Sequence, residues 1–337
     1  MKISVCPMSL DLRTTFRVSH GASDQRHNVL VTLEQDGLVG YGEAAAVFYY
    51  GDTQESLSAA LNALPALGED VFALEDNLNR LPDMPHAAQA AVDMALHDLW
   101  GKCLGQPLYR LFGLTPAALP QTSFTIGIDA PEVMAQRARE SGYPIIKIKL
   151  DALAPEAQVA AIRAATDARL RVDANAAWAP QQALELITRL APYQLELVEQ
   201  PLPVGDVEAY RWLKTELNRR GVTTPIYIDE SVQNSRDVAR HAGAVDGVVV
   251  KLMKTGGLRE ALRAIHTARA HGMTIMLSCM IESSLGVTAA AHLAPLCDQL
   301  DLDGPLLVGN DPFDGLHYAG ANLSLSDRPG IGAVLRA

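Results

Sequence analysis

Long apolar runs are missing from this chain, and so is any cationic excess. The longest weakly polar stretch, Leu285 to Leu296, contains Thr288 and His292 and falls short of the roughly 20 residues a membrane-spanning helix needs. The opening MKISVCPMSLDLRTTF has no apolar core followed by a cleavage site, so no secretory leader is expected. Acids outnumber bases 39 to 28, a formal net charge of −11. Nucleic acid and anionic membranes both call for a cationic face, and neither is expected as a partner. Cysteine is scarce: Cys6, Cys103, Cys279 and Cys297 lie far apart with no CxxC pair, which reads as free thiols in a reducing compartment. A cytoplasmic protein is the expectation.

What is present is an ordered change of rhythm. In the first hundred residues strands precede helices. Val29 to Glu34 and Leu38 to Glu43 alternate in polarity around Gln35-Asp36-Gly37, a hairpin turn, and helical periodicity follows over 53–67 and 86–102. In the second helix Ala91, Met94, Ala95 and Leu99 recur at one-face spacing. From about residue 121 short apolar runs alternate with amphipathic helices: SFTIG, PIIKIKL, LRVDA, LELVEQ, PIYIDE, GVVVKL, TIMLSCM and QLDLDG, with helices over 131–141, 155–166, 180–191, 206–218, 235–241, 257–271 and 284–294 between them. Eight such strands suit a closed parallel barrel. The fold class expected is α/β, with an α+β unit over 1–118, a barrel over 119–310 and a segment from 311 to 337 that folds back on the first unit.

Charged residues fall on the beat of that repeat. Lys149, Asp173, Glu199, Asp229 and Lys251 each close an expected strand, at spacings of 24, 26, 30 and 22 residues. Each spacing is about one βα unit, which puts all five at the C-terminal mouth, where barrel enzymes keep their active sites. Asp173, Glu199 and Asp229 on consecutive strands form an all-oxygen set suited to Mg²⁺, and a cation there would relieve their mutual repulsion. Asn175, two residues beyond, reads equally as a neighbour of that site or as an ordinary loop residue. Lys147 and Lys149 share a strand face, so repulsion and burial are expected to lower the pKa of one of them. Lys251 lies across the barrel from Lys149. Two amines on opposite sides of one carbon suit removal and return of a proton next to a carboxylate, with Mg²⁺ and Lys147 stabilising the charge that develops.

The pieces K-I-K (147–149), V-D-A-N (172–175), V-E-Q-P (198–201), I-D-E-S (228–231) and K-L-M-K-T-G-G (251–257), with G-Y-G-E-A at 40–44, together resemble the enolase superfamily in its muconate-lactonising subgroup. The resemblance runs over nearly the whole chain. It implies a capping domain on a (β/α)₇β barrel, Asp173, Glu199 and Asp229 as Mg²⁺ ligands, and Lys149 and Lys251 as the acid–base pair. The seventh strand ends in Ser278-Cys279-Met280 rather than in the His of mandelate-racemase-like members, and Ser278 and Met280 are taken as substrate contacts. Asp301 and Asp303 close the eighth strand as a D-x-D. Dipeptide epimerases, the L-Ala-D/L-Glu epimerases among them, use such a pair to hold the substrate's α-ammonium group, so the resemblance implies epimerisation at the C-terminal residue of a dipeptide. Alternatives within the subgroup are o-succinylbenzoate synthase, N-acylamino acid racemase and lactonising enzymes. Glu230 is a candidate partner of Lys251. The substrate side chain is expected to meet the loops near Phe16 to His27 and Ala45 to Thr53, where Gly21 and Ser23 stand at the positions in which Ala-Glu epimerases often carry Arg. Arg17, Arg26, Phe48, Tyr49 and Tyr50 are the other candidates there. A dipeptide is the expected partner, and homo-oligomerisation is left open.

Overall fold

The computed structural model describes residues 1–19 and 21–336. Its N-terminal part is an antiparallel sheet of β1 (Lys2–Val18), β2 (Gly21–Gln35) and β3 (Leu38–Ala44), in that spatial order. The β2–β3 turn is Asp36-Gly37 with φ of 51° and 80°, the two-residue geometry that needs positive φ at both positions. Helices α1 (Gln54–Asn62), α2 (Leu74–Asn79), α3 (His86–Leu104) and α4 (Leu108–Leu111) follow. Thr53 caps α1 by accepting from the Ser56 amide. The helix stops short of the expected residue 67 because Pro65 disfavours helical backbone at the residue before it.

Helix α3 differs from its expected one-sided burial. It is buried on nearly every side, including Asp93, His97 and Asp98, because it lies between the sheet and the barrel. Its alanines let β3 approach very closely: a Cβ on Gly42 would lie 1.8 Å from the Ala91 carbonyl oxygen, and one on Gly40 2.2 Å from that of Ala95. The buried acids of α3 are consumed as caps and ties. Asp98 accepts from the amides of Tyr41 (2.9 Å) and Ile331 (2.7 Å) and from Lys102 Nζ (2.7 Å).

The barrel consists of β4 (Phe124–Ile126), β5 (Ile145–Lys149), β6 (Arg169–Asp173), β7 (Leu197–Glu199), β8 (Ile226–Ile228), β9 (Gly247–Val250), β10 (Thr274–Ser278) and β11 (Gln299–Asp301). Neighbours in sequence are neighbours in space, all parallel. A parallel bridge from Thr122 to Leu300 closes the ring. Around it run α5 (Pro131–Ser141), α6 (Pro155–Ala165), α7 (Pro180–Leu190), α8 (Val207–Arg219), α9 (Ser235–His241), α10 (Leu252–Thr255), α11 (Leu258–Ala270) and α12 (Ser284–Ala291). Proline opens α5, α6 and α7, where its fixed φ suits the first turn and its missing N–H costs nothing. Among the described residues no helix is long and apolar enough to cross a membrane.

Two contacts outside the barrel shape its mouth and its rim. The tip of the β1–β2 hairpin, past a register break between Asp11 and Phe16, reaches the barrel where the Ile128 amide donates to the Arg17 carbonyl at 2.9 Å. Gly127 beside it has no room for a Cβ, which would lie 2.9 Å from that carbonyl oxygen. At the rim, buried His292 accepts from the Tyr109 amide at Nδ1 (3.0 Å) and donates from Nε2 to the Ile331 carbonyl (2.9 Å). The last residues form β12 (Phe313–Asp314) paired with β15 (Val334–Leu335), and β13 (His317–Ala319) paired with β14 (Asn322–Ser324).

Candidate active site

A cavity of about 600 Å³ opens at the C-terminal end of the barrel strands. Its lining includes Lys147, Lys149, Asn175, Asp229, Glu230, Lys251, Asp301 and Asp303 from the barrel, and Phe16, Gly21, Ser23, Arg26, Phe48, Tyr49 and Tyr50 from the N-terminal part. Parallel pairing sets the floor. Lys149 is in register with Asp173 and Asp173 with Glu199, while Asp229 and Lys251 come immediately after β8 and β9. The order around the ring is therefore lysine, three acids, lysine. One carboxylate oxygen each from Asp173, Glu199 and Asp229 lies within 4.8 Å of the others.

The lysines flank this triad symmetrically. Lys149 Nζ lies 2.6 Å from Asp173 Oδ2, and Lys251 Nζ lies 2.7 Å from Asp229 Oδ2. Burial alone would lower the Lys251 pKa, but Asp229, Glu199 and Asp173 together outweigh burial and hold it above the ordinary lysine value. Asp173, although buried, is held down at about 2, chiefly by Lys149 and Lys147. Asp229 is held below the usual carboxylate range by Lys251, Lys254 and Lys147 against the cost of burial. Glu199 goes the other way, raised by burial and by Asp173. Glu199 Oε2 and Asp229 Oδ1 accept no hydrogen bond, though each has an ammonium group close by, Lys147 at 2.8 Å and Lys254 at 2.6 Å. Three buried, converging carboxylates with no His or Cys among them fit a hard divalent cation.

Several expected roles are redistributed. The expected pKa drop does not fall on Lys147: burial opposes its charge, but Asp301, Glu199 and Asp173 raise it well above the ordinary lysine value. Its Nζ lies 2.8 Å from Asp301 Oδ2 and 2.9 Å from Glu199 Oε1, with Asp173 Oδ2 at 3.2 Å. Ser278 is fully buried and donates to Asp301 Oδ2 at 2.8 Å. It is in register with Asp301, so it supports that acid and does not line the cavity, unlike Met280. Glu230 accepts from Asn175 Nδ2 at 3.1 Å, and the acid that pairs with Lys251 is Asp229. Burial and the charges of Asp229 and Asp173 push Glu230 up to about 7. Asn175 also donates its amide to Asp173 Oδ1 at 2.9 Å, from a backbone at φ 44°.

Asp301 and Asp303 diverge as well. Asp301 accepts from Ser123 Oγ (2.6 Å), Lys147 Nζ and Ser278 Oγ, and Lys147 keeps it strongly ionised despite burial. Asp303 accepts from the Thr125 amide at 2.6 Å. Burial and the Asp301 charge push it up to about 7.

Two functional residues escaped sequence reasoning. Lys254 is buried, lines the cavity and donates to the backbone carbonyls of Asp229 and of Val249 (3.0 Å); burial lowers its pKa. The K-x-x-K spacing from Lys251, which puts Lys254 on the single turn of α10 that Lys251 opens, was its signal. Gln200 accepts the amides of Asp229 (2.8 Å) and Ser231 (3.2 Å) at Oε1 and donates to Tyr210 and Ser231 hydroxyls (both 2.9 Å). It thereby ties the β7 and β8 ends together.

Comparison with known proteins decides the family. Residues 130–337 match the family model described as enolase C-terminal domain-like, and residues 2–113 match the N-terminal domain of mandelate racemase / muconate lactonizing enzyme. The chain belongs to the enolase superfamily. Among curated relatives, the L-Ala-D/L-Glu epimerase of Bacteroides thetaiotaomicron is 38% identical over 99% of this chain and 88% of its own length. Among solved structures, a substrate-liganded L-Ala-D/L-Glu epimerase from Bacillus subtilis has a TM-score of 0.93 at 31% identity, covering 100% of this chain and 99% of that one. The dipeptide epimerase of Enterococcus faecalis V583, in complex with Mg and L-Leu-L-Tyr, has a TM-score of 0.90 at 34% identity, with 98% of both chains covered. The superfamily's barrel and N-terminal cap are thus the two parts of this chain, and its site stands where the barrel meets the cap.

Proposed function

We propose that this chain is a Mg²⁺-dependent dipeptide epimerase that moves the α-proton of the C-terminal residue of a dipeptide from one face of the carbon to the other. The observation that carries this reading is the pair of buried lysines bound from opposite sides to one acidic triad, with Asp303 on the same cavity. Asp173, Glu199 and Asp229 would hold the cation, which supplies positive charge for the substrate's carboxylate when bound. The same acids raise the Lys251 pKa, so charge they give to a cation is charge they withdraw from the amine. Its free-base form then comes within reach.

In this reading one lysine, neutral, takes the α-proton, and the opposite lysine, as ammonium, gives its own proton to the other face. The lysine charges exchange and the carbon inverts. Removing an α-proton from a carboxylate concentrates two negative charges on its oxygens, and a water-poor site that opposes that charge lowers the barrier. Asp303 receives the substrate's α-ammonium group, while Asp301, already satisfied, fixes Lys147. For the side chain the cavity offers Arg26, whose pKa burial lowers, and the apolar surface of Phe16, Val18 and Phe48. Arg17 is not on the cavity wall. Four free thiols among the described residues suit a reducing compartment, which supports a place in the cytoplasm.

A dipeptide library, with N-succinyl and other N-acyl amino acids as a second arm, incubated in D₂O with Mg²⁺ tests this reading. Deuterium should enter at the α-carbon of the second residue of dipeptides. Lys149→Ala and Lys251→Ala should each lose epimerisation, and one of them can keep α-exchange with a single enantiomer. Normal turnover by either variant, or exchange confined to N-acyl amino acids, would refute it.

A further inference from the structure

Outside the triad, two more carboxylates are buried together where the cap meets the barrel. Glu43 is the penultimate residue of β3, and Glu282 lies in the loop between β10 and α12; both are at most 1% exposed. They press on one glycine. A Cβ on Gly286 would lie 2.3 Å from Glu282 Oε2 and 3.2 Å from Glu43 Oε2, so the two oxygens are near neighbours. Two like charges in so little space cannot both persist without solvent.

Hydrogen bonding says which of them is ionised. Glu43 accepts from Asn28 Nδ2 (2.7 Å), from the Ser283 amide (3.0 Å) and hydroxyl (2.5 Å), and from the Gly286 amide (3.3 Å). Ser283 caps α12, so Glu43 also sits at the positive end of that helix. Glu282 accepts only the Met280 amide at Oε1 (2.8 Å), and its Oε2 has no partner. The proton therefore belongs on Glu282. The loop concerned carries Met280 and Ile281, which line the cavity, and Asn28 reaches the Ile281 carbonyl as well.

The geometry points to Glu282 as a positioning residue for the proposed reaction: with Glu43 it holds a single proton at the cap–barrel seam, and that proton keeps the 280–283 wall of the substrate cavity in place. The inference rests on the epimerase reading for its effect on turnover, though not for the proton itself. Burial first, and then the charge of Glu43, push Glu282 up to about 8, while Lys251 pulls the other way. Burial also raises Glu43, against the four donors that favour its charge. The titratable groups facing Glu282 are Glu43 from β3, Cys279 from its own loop and Lys251 from the end of β9. Above pH 8 the seam acquires a second negative charge, and the loop is pushed from the cap.

The test is the pH dependence of KM and kcat for wild type and Glu282→Gln, with the dipeptide that exchanges deuterium as substrate. The dipeptide's own α-ammonium group titrates at about 8, so KM is expressed for the fraction of substrate that keeps it. That corrected KM should rise about tenfold or more for wild type between pH 7 and 9.5, as expected for an enzyme group titrating near 8. Gln, which resembles the protonated acid in shape, should hold the corrected KM within about twofold over the same range, with the kcat profile unchanged. An equal rise of corrected KM in the variant overturns the proposal. Infrared difference spectroscopy of wild type against Glu282→Gln reads the proton with no substrate present, free of the other buried carboxyls. A carboxylic-acid carbonyl band that the variant lacks and that bleaches with a midpoint near pH 8 supports the inference, and no such difference band at pH 7.5 overturns it. Failure of dipeptide exchange would sink the function and leave this second readout standing.

Discussion

Asp301 and Asp303 are two residues apart and chemically alike, yet their surroundings divide their work. Asp301 is wrapped by Ser123, Ser278 and Lys147, and Asp303 meets the cavity with the Thr125 amide behind it. Asp303→Asn should therefore raise KM for dipeptides by about 10- to 100-fold, the loss of about 1.5–3 kcal/mol for a contact to a charged group, with little change for N-acetylated dipeptides. Asp301→Asn should act through Lys147 and Glu199: kcat falls, and more Mg²⁺ is needed for half-maximal rate. Steady-state kinetics on paired free and acetylated substrates, with a Mg²⁺ titration, separates the two. At this scale the sequence was legible wherever a residue's place on a strand fixes its direction, as for Lys149, Asp173 and Glu199. It was silent wherever the partner chosen decides the role. Ser278 could face substrate or Asp301 on spacing alone, and Gln200 is an ordinary residue until its bonds to Asp229, Ser231 and Tyr210 are seen.

Among the elements, α5 to α9 and α11 matched their expected spans closely because each buries one face and the pattern is one-sided, while α12 is buried throughout. Helix α3 kept its expected span, 86–104 against 86–102, but not its one-sided burial, since it is packed on both sides. Its polar residues are the better guide. Asp93 accepts from the amides of Leu258 (2.7 Å) and Arg259 (3.3 Å), capping α11 from another part of the chain, and Gly257 at φ 117° lies against it. The opposite face depends on Gly42, whose added Cβ would strike the Ala91 backbone, a partner that cannot swing aside. Gly42→Ala should cost about 3 kcal/mol, at the upper end for overpacking, measured as a lower calorimetric melting temperature with unchanged Mg²⁺ affinity of the protein that remains folded.

Across the whole molecule, buried groups with displaced pKa values set the limits of stability. Burial pulls His292 down to about 4, below the roughly 6.5 of a free histidine. The neutral ring is the folded form, so its contribution is complete above pH 6.5 and drains away as pH falls toward 4. By linkage about 2 kcal/mol should vanish between pH 7 and pH 5, and His292→Gln should show a correspondingly flatter fall in urea unfolding over that interval. The loss belongs to the junction of α4, the end of α12 and the closing segment near Ile331, which that one ring stitches together. At the other end of the molecule the tolerance is steric. The hairpin tip sits on the barrel with Arg17 against Gly127, so the fit of roof to vessel is set by one missing methyl group. Any larger residue there would act as a doorstop, leaving the chamber ajar to water while every acid and amine on its floor stayed in place.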